Sequence, residues 1–190
     1  MYPAIKRICD VFLSLLAIVG LFPLMALLAL LIKWDSPGPV LFRQKRMGAG
    51  QVPFQIYKFR TMRTDTPADM PTHLLSDAHR HVTRMGAFLR RTSLDELPQL
   101  YNILNGDMSF VGPRPALWNQ YDLLAERDKY GANDIRPGLT GWAQINGRDE
   151  LPIPVKARLD GEYVQRKGFW LDTRIFFATL WIAVSGKGLA

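Results

Sequence analysis

The chain has 190 residues and a formal net charge of +7 at pH 7. That length suits one domain with a real core, and the charge favours acidic partners such as phosphate esters, anionic lipid or nucleic acid. The single cysteine, Cys9, excludes an intrachain disulfide and reads as a small packing residue of a reduced, cytoplasm-facing protein.

Lys6-Arg7 precede a largely apolar run from Val11 to Ile32. The run is too long for a signal peptide, and Lys33-Trp34-Asp35 follows it instead of a small-residue cleavage site. As one straight helix it would cross the ~30 Å hydrocarbon core. Two features predict a break instead. Pro23 lies mid-run and deprives the Val19 carbonyl of its helical partner. Both flanks are basic, with Lys6 and Arg7 before the run and Lys33, Arg43, Lys45 and Arg46 after it. Two half-helices would each reach roughly 17 Å, near the bilayer midplane. Residues 1–35 are therefore expected to form a re-entrant membrane helix-break-helix, with a single spanning helix as the alternative. Residues 36–190 are expected to form a cytosolic globular domain.

Ser36-Pro37-Gly38-Pro39 is a turn cluster, and Val40-Leu41-Phe42 a short strand candidate. Met47–Gly50 reads as a loop. Phe54–Phe59 alternates with period two and reads as a strand. Residues 64–75 read as a mobile loop. From Ser76, the positions Val82, Met85, Phe88 and Leu89 suggest a helix. Leu97, Leu100, Tyr101 and Leu104 share one helical face, which Asn105-Gly106 ends. Ser93-x-x-Glu96 has the form of a capping box, although Pro98 would then sit deep, so the helix is expected to start nearer Asp95. Residues 117–129 form a polar helix, Trp142–Ile145 a short strand before the Asn146-Gly147 turn, and Leu159–Gln165 a helix. Phe169 to Val184 fits a helix lying in the membrane interface with Trp170 and Trp181 at headgroup level, or a core helix. The sum is an α/β fold, α-rich and mixed, with short strands and interfacial amphipathic helices.

Asp95-Glu96 at a helix start can simply complement the helix dipole. The same position would also keep the carboxylates ionised, able to bind Mg²⁺ or to attack phosphorus. The surrounding cations favour the second reading. Arg90 and Arg91 lie upstream, Lys58 and Arg60 end a strand, and Arg114 sits in Gly112-Pro113-Arg114-Pro115. Arg136 and Arg148 bracket a glycine-rich stretch that holds Thr140, Gly141, Gln144 and Asn146. Guanidiniums around a carboxylate pair suit phosphoryl transfer, because they hold diphosphate oxygens and absorb developing charge. His73, His79 and His81 form only a weak metal pattern, and no zinc site is assigned to them.

Ser93–Leu100, the stretch Asn102–Pro115, Ile56–Met62 and Arg136–Arg148 together closely resemble the bacterial sugar transferase family, the small monotopic polyprenyl-phosphate phosphoglycosyl transferases. The likeness covers nearly the whole chain and resembles the minimal catalytic form, without the extra N-terminal membrane domain of larger relatives. It implies a re-entrant helix, Mg²⁺ as cofactor, a location on the cytoplasmic face of the bacterial inner membrane, and a two-step covalent mechanism. Asp95 matches the nucleophile that attacks the sugar-linked phosphate and releases UMP. Glu96 matches its partner, as metal ligand or as base, two roles that the resemblance leaves open. Arg90 matches a phosphate-binding arginine. Lys58, Arg60, Pro113, Arg114, Arg136, Thr140, Gly141, Gln144, Asn146 and Arg148 fall in or beside the matching blocks as substrate-binding candidates. The implied partners are a UDP-sugar, undecaprenyl phosphate and membrane lipid, with no nucleic acid and room for a homodimer. One departure stands out: small members often break the membrane helix at Ser-Pro, whereas this chain has Phe22-Pro23, and phenylalanine cannot satisfy a freed carbonyl. The residues leave two other functions open. A nucleic-acid binder would show a basic stripe, whereas these cations are interleaved with acids. A non-catalytic scaffold would not need Asp95-Glu96.

Overall fold

The computed structural model describes residues 2–66, 78–147 and 151–185. It is a mixed α/β structure, rich in helix. The long helix α1, Tyr2–Asp35, leads into a small domain with short strands.

Helix α1 runs unbroken through Pro23 over 34 residues, so the expected division into two half-helices is not seen. The reason lies in its inner face. Asp10, Ser14, Ala17, Ile18, Leu21, Met25, Leu28 and Ile32 recur at helical spacing and pack on the domain along most of the helix. Docking on both sides of the proline stabilises both halves, which offsets the one backbone bond that Pro23 removes. Ile8, Phe12, Leu16, Val19, Phe22, Leu27 and Leu30 point outward and are exposed. The helix is long and apolar enough to cross a membrane, and a bare apolar face of this extent marks the protein as membrane-associated. Cys9 belongs to the exposed surface, which corrects its reading as a packing residue.

Polar bonds fix both ends of α1. Tyr2 and Lys6 bond the Asp172 carboxylate, and Arg7 donates to the carbonyls of Ile103 and Leu104 at 2.6 and 2.9 Å. Buried Asp10 accepts from the Ser109 hydroxyl and the Phe110 amide, both at 3.1 Å. At the other end, Asp35 accepts from the Met85 amide at 3.0 Å. The basic N-terminal flank is thus committed to the protein's own acceptors.

Strands β1 (Leu41–Met47) and β2 (Pro53–Phe59) form an antiparallel hairpin, with Leu41 opposite Phe59 and Met47 opposite Pro53. Its turn places Gly50 and Gln51 at φ 62° and 58°. The first strand is longer than the apolar Val40–Phe42 signal, because pairing with β2 carries it through Arg43–Arg46. Two short helices follow, α2 (Ala78–His81) and α3 (Arg84–Thr92). Thr83 caps α3 by accepting from the Gly86 amide at 2.9 Å. Helix α4 (Gln99–Asn105) ends at Gly106, φ 98°. Strand β3 (Ser109–Val111) pairs in parallel with β4 (Gly138–Thr140), and α5 (Tyr121–Asp128) lies between them in sequence.

The strand expected at Trp142–Ile145 is instead a one-turn helix, α6, and the pairing segment lies just before it. Glycine decides this. A Cβ on Gly138 would lie 2.1 Å from the Gly112 nitrogen, so only glycine lets these two backbones meet. Helices α7 (Ile153–Arg166) and α8 (Phe169–Ser185) complete the fold. Leu171 and Ile175 of α8 face the core beside Tyr163, whereas Phe169, Trp170, Phe177 and Trp181 are exposed. One face of this segment thus packs as a core helix and the other is exposed and aromatic. The predicted loop 64–75 falls largely outside the described residues.

Candidate active site

Asp95 and Glu96 do not open an α-helix. Helix α3 stops at Thr92, Ser93 turns the chain at φ 56°, and Leu94–Glu96 form a single 3-10 turn. Pro98 then bounds α4. The capping box does not form: Ser93 makes no side-chain cap bond, and Glu96 faces the site instead. The turn therefore holds both carboxylates on the wall of a cleft of about 1360 Å³.

Three sequence candidates converge here. Lys58, near the end of β2, contacts Glu96 Oε1 at 2.7 Å, and Arg114 contacts the same oxygen at 3.1 Å. Arg90 donates from Nε to the Thr61 hydroxyl at 2.9 Å, close enough for its charge to act on Asp95. Asn102 sets this register. Its side chain accepts from the Tyr57 amide at 3.1 Å and donates to the Gln55 carbonyl at 2.7 Å, fastening α4 to β2.

The two carboxylates differ in character. Burial pushes Glu96 up, but Lys58 and Arg114 outweigh it and hold its pKa far below the usual carboxylate range. Burial pushes Asp95 up, and there it prevails. Lys58, Arg90 and Arg114 offset it only in part, and the neighbouring Glu96 charge adds to it. Among the described residues, no hydrogen bond or ion pair reaches the Asp95 carboxylate. Glu96 is thus a fixed anion, and Asp95 is the unengaged, proton-attracting one. This differs from the helix-dipole expectation, under which both would be held ionised.

Other candidates fall elsewhere. All three guanidinium nitrogens of Arg60 are spent on the carbonyls of Pro39, Pro37 and Ser36, at 2.7, 2.8 and 2.8 Å, so it clamps the turn after α1 while lining the cleft. The Pro113 carbonyl accepts from the Gly138 amide at 2.8 Å and joins two loops. Arg136 is exposed and donates to the Gly106 carbonyl at 2.9 Å, and Asn146 bonds the Trp142 carbonyl at 2.7 Å; neither lines the cleft. Gly141 packs against the Gly112 carbonyl, whereas Thr140 and Gln144 do line the cleft. Arg148 and His73 lie outside the described residues, as does the His79 side chain. His81 stands 4.0 Å from Asp65.

Sequence reasoning missed Arg127 and Asp160. Arg127 on α5 is buried, bonds Asp160 on α7, and donates to the Arg114 carbonyl at 2.9 Å. Arg46 donates to the next carbonyl, that of Pro115, at 2.9 Å. Two guanidiniums thus hold the loop that presents Arg114. In sequence both look like solvated surface cations, and only tertiary packing distinguishes them.

The cleft joins two chemistries. Around the acidic pair it is lined by Lys58, Arg90 and Arg114, and elsewhere by Phe59, Leu100, Phe110, Leu139, Phe176 and Leu180. It can receive a ligand with both phosphate and apolar parts. The model of the bacterial sugar transferase family matches residues 1–186. The chain belongs to this family. It is 41% identical, over 92% of its length, to the UDP-glucose:undecaprenyl-phosphate glucose-1-phosphate transferase of Xanthomonas campestris pv. campestris, and covers 37% of that protein. The Escherichia coli (strain K12) protein of the same name is 41% identical over 93% of this chain, which covers 39% of it. The exopolysaccharide production protein PSS of Rhizobium leguminosarum bv. phaseoli is 42% identical over 97% of this chain and 98% of its own length. The chain therefore spans well under half of the first two relatives, and nearly all of the third.

The cation-lined cleft with its carboxylate pair and the bare apolar helix thus occur in one small protein. The two carboxylates also suit a divalent cation. Asp95 and the second oxygen of Glu96 bond nothing among the described residues, and no third His, Cys, Asp or Glu there joins them. Such a pair leaves most of a Mg²⁺ shell to phosphate oxygens and water, as Mg²⁺ prefers.

Proposed function

We propose that this protein transfers a sugar phosphate from a UDP-sugar to undecaprenyl phosphate, at the cytoplasmic face of the bacterial inner membrane. The observation that carries the reading is the contrast within the acidic pair: Glu96 is locked between Lys58 and Arg114, and Asp95 is left free to react. The names of the family relatives supply the class of donor and carrier.

In the first step an Asp95 oxygen attacks the sugar-linked phosphorus. The bond from that phosphorus to the bridging oxygen breaks, and UMP leaves with the electron pair. Asp95 is then esterified to the phosphosugar. In the second step a phosphate oxygen of the carrier attacks the same phosphorus. The bond to Asp95 breaks, which regenerates the carboxylate and gives a sugar linked to the carrier through a diphosphate. Lys58, Arg90 and Arg114 reduce the repulsion between carboxylate and diphosphate and stabilise charge on the equatorial oxygens. Asp95 and Glu96 would hold Mg²⁺, which when bound neutralises diphosphate charge.

The bonding of α1 supports a one-sided topology. Its N-terminal residues bond Asp172 and the end of α4, and its last residue bonds Met85. Both ends thus bond to the same domain, which favours keeping them on one side of the membrane. The test of function is UMP release from a panel of UDP-sugars with Mg²⁺ and no acceptor. About one UMP per active site, with the phosphosugar mass on the intact protein, is expected. UMP that appears only with undecaprenyl phosphate present, and no adduct, would sink the covalent route.

A further inference from the structure

Part of the cleft wall comes from β4, α6, α7 and α8 rather than from the hairpin and the 3-10 turn, and it carries polar groups that neither transfer step uses. Gln144 of α6 lines the cleft, yet its Oε1 and Nε2 are both buried and have no hydrogen-bond partner among the described residues. A buried amide group left unbonded is costly, so a partner is to be expected from the cleft. The side chain is unbranched and has no bond to lose, so it can turn toward an arriving group without breaking anything. Gly141 keeps space for it: a Cβ there would lie 2.7 Å from Gln144 Oε1.

The neighbouring hydroxyls are defined by proton bookkeeping. Thr179 spends its one hydroxyl proton on the Ile175 carbonyl, at 2.8 Å. The 2.6 Å contact between Thr140 and Thr179 then needs Thr140 as donor. Thr140 is left with lone pairs only, so it can accept from a ligand and cannot donate. Lys156 of α7 lines the same cleft, and its ammonium makes no side-chain bond among the described residues. It adds donors.

We infer that Gln144, with Thr140 and Lys156, forms a subsite for a neutral group of the nucleotide sugar that both donates and accepts hydrogen bonds. Elimination within the substrates gives this chemistry. Diphosphate oxygens only accept, so they cannot satisfy Gln144 Oε1 or Thr140. A polyprenyl tail offers neither donor nor acceptor. A pyrimidine imide edge offers N–H beside C=O, and hexose hydroxyls offer O–H that also accepts; both match. The inference rests on the transferase reading and adds to it the group that fixes the donor's neutral end.

The test is Gln144→Met, which keeps similar volume and has no polar amide. No hydrogen bond is lost, so its melting temperature should hold or rise. UMP affinity is measured by titration calorimetry, and KM across the UDP-sugars that the wild type turns over. A loss of UMP affinity of roughly tenfold, worth about 1.4 kcal/mol, assigns the subsite to the base. Unchanged UMP affinity with a similarly raised KM assigns it to the hexose. Either result supports the subsite. Wild-type UMP affinity together with wild-type KM values overturns it, and a fall in melting temperature beside them would make Gln144 a structural residue. A wild-type protein that binds neither UMP nor any UDP-sugar would instead fail the transferase reading.

Discussion

Arg127 donates from Nε and Nη2 to one oxygen of Asp160, at 2.8 and 2.6 Å, and from Nη1 to the Arg114 carbonyl at 2.9 Å. Both side chains of the pair are almost wholly buried, at 4% and 1% exposed. The pair joins α5 to α7 and sets the height of the loop from which Arg114 reaches Glu96. Removing one partner strands a buried charge, which typically costs about 3–5 kcal/mol. Asp160→Asn should therefore lose much of the unfolding free energy in a urea titration. The double change Arg127→Met with Asp160→Leu should lose less than either single change, because it strands no charge. Double-variant stability as low as the worse single would show that the pair is not the cause.

The cations around the acidic pair should separate into chemical and structural groups. Arg114→Ala and Arg90→Ala each remove a charge-assisted contact worth ~1.5–3 kcal/mol, a loss of roughly ten- to a hundredfold in turnover. Lysine at either position should rescue only in part, since it lacks the planar fork. Arg60→Ala should behave differently. Its guanidinium holds the carbonyls of Ser36, Pro37 and Pro39, so the main effect should be a lower melting temperature. Wild-type turnover in both Arg90→Ala and Arg114→Ala would assign those arginines to the surface.

The sequence made the chemistry more legible than the geometry. Lys58, Arg90, Arg114, Asp95 and Glu96 stand out because charged residues beside proline and glycine turns have few structural reasons to cluster. Their backbone setting was not legible: a capping-box pattern at Ser93 suggested a helix start, and only a left-handed Ser93 together with Pro98 produces the 3-10 turn. The strand at Gly138–Thr140 was hidden because three residues carry no period, and its partner lies at Ser109–Val111. Pro23 predicted a break because sequence rules weigh one lost backbone bond. They do not weigh the stripe from Asp10 to Ile32 that holds the helix on either side of it. Arg127 and Asp160, 33 residues apart, had no local signal at all.

Topology can be checked through engineered thiols. Ala4 and Val52 are both exposed, and they lie before and after the apolar stretch. With Cys9→Ser as background, Ala4→Cys and Val52→Cys should be labelled by a membrane-impermeant maleimide from the cytoplasmic side only. Labelling of Ala4→Cys from the periplasm would establish a spanning α1. Pro23→Ala restores the missing N–H in a helix already docked on both sides of that position, so it should leave the labelling pattern unchanged and raise the melting temperature.

The raised pKa of Asp95 carries a cost that should be measurable apart from activity. Burial makes the folded protein hold this proton more tightly than the unfolded chain does. The favourable contribution is therefore fully present below the ordinary aspartate range and is lost as pH rises through the folded-state value. Above that value the ionised carboxylate weakens the fold. Asp95→Asn, neutral at every pH, should raise the melting temperature of the Mg²⁺-free protein at pH 7, and the gain should disappear at acid pH. Glu96→Gln removes the neighbouring negative charge, so it should lower the Asp95 midpoint in difference infrared titration. Lys58→Met removes the strongest opposing charge and should raise it. The same Asp95→Asn variant should release no UMP, which gives gained stability and lost transfer in one protein. A melting temperature at pH 7 equal to or below wild type would mean that Asp95 is comfortably solvated, and the account of it as a strained, unengaged nucleophile would fail.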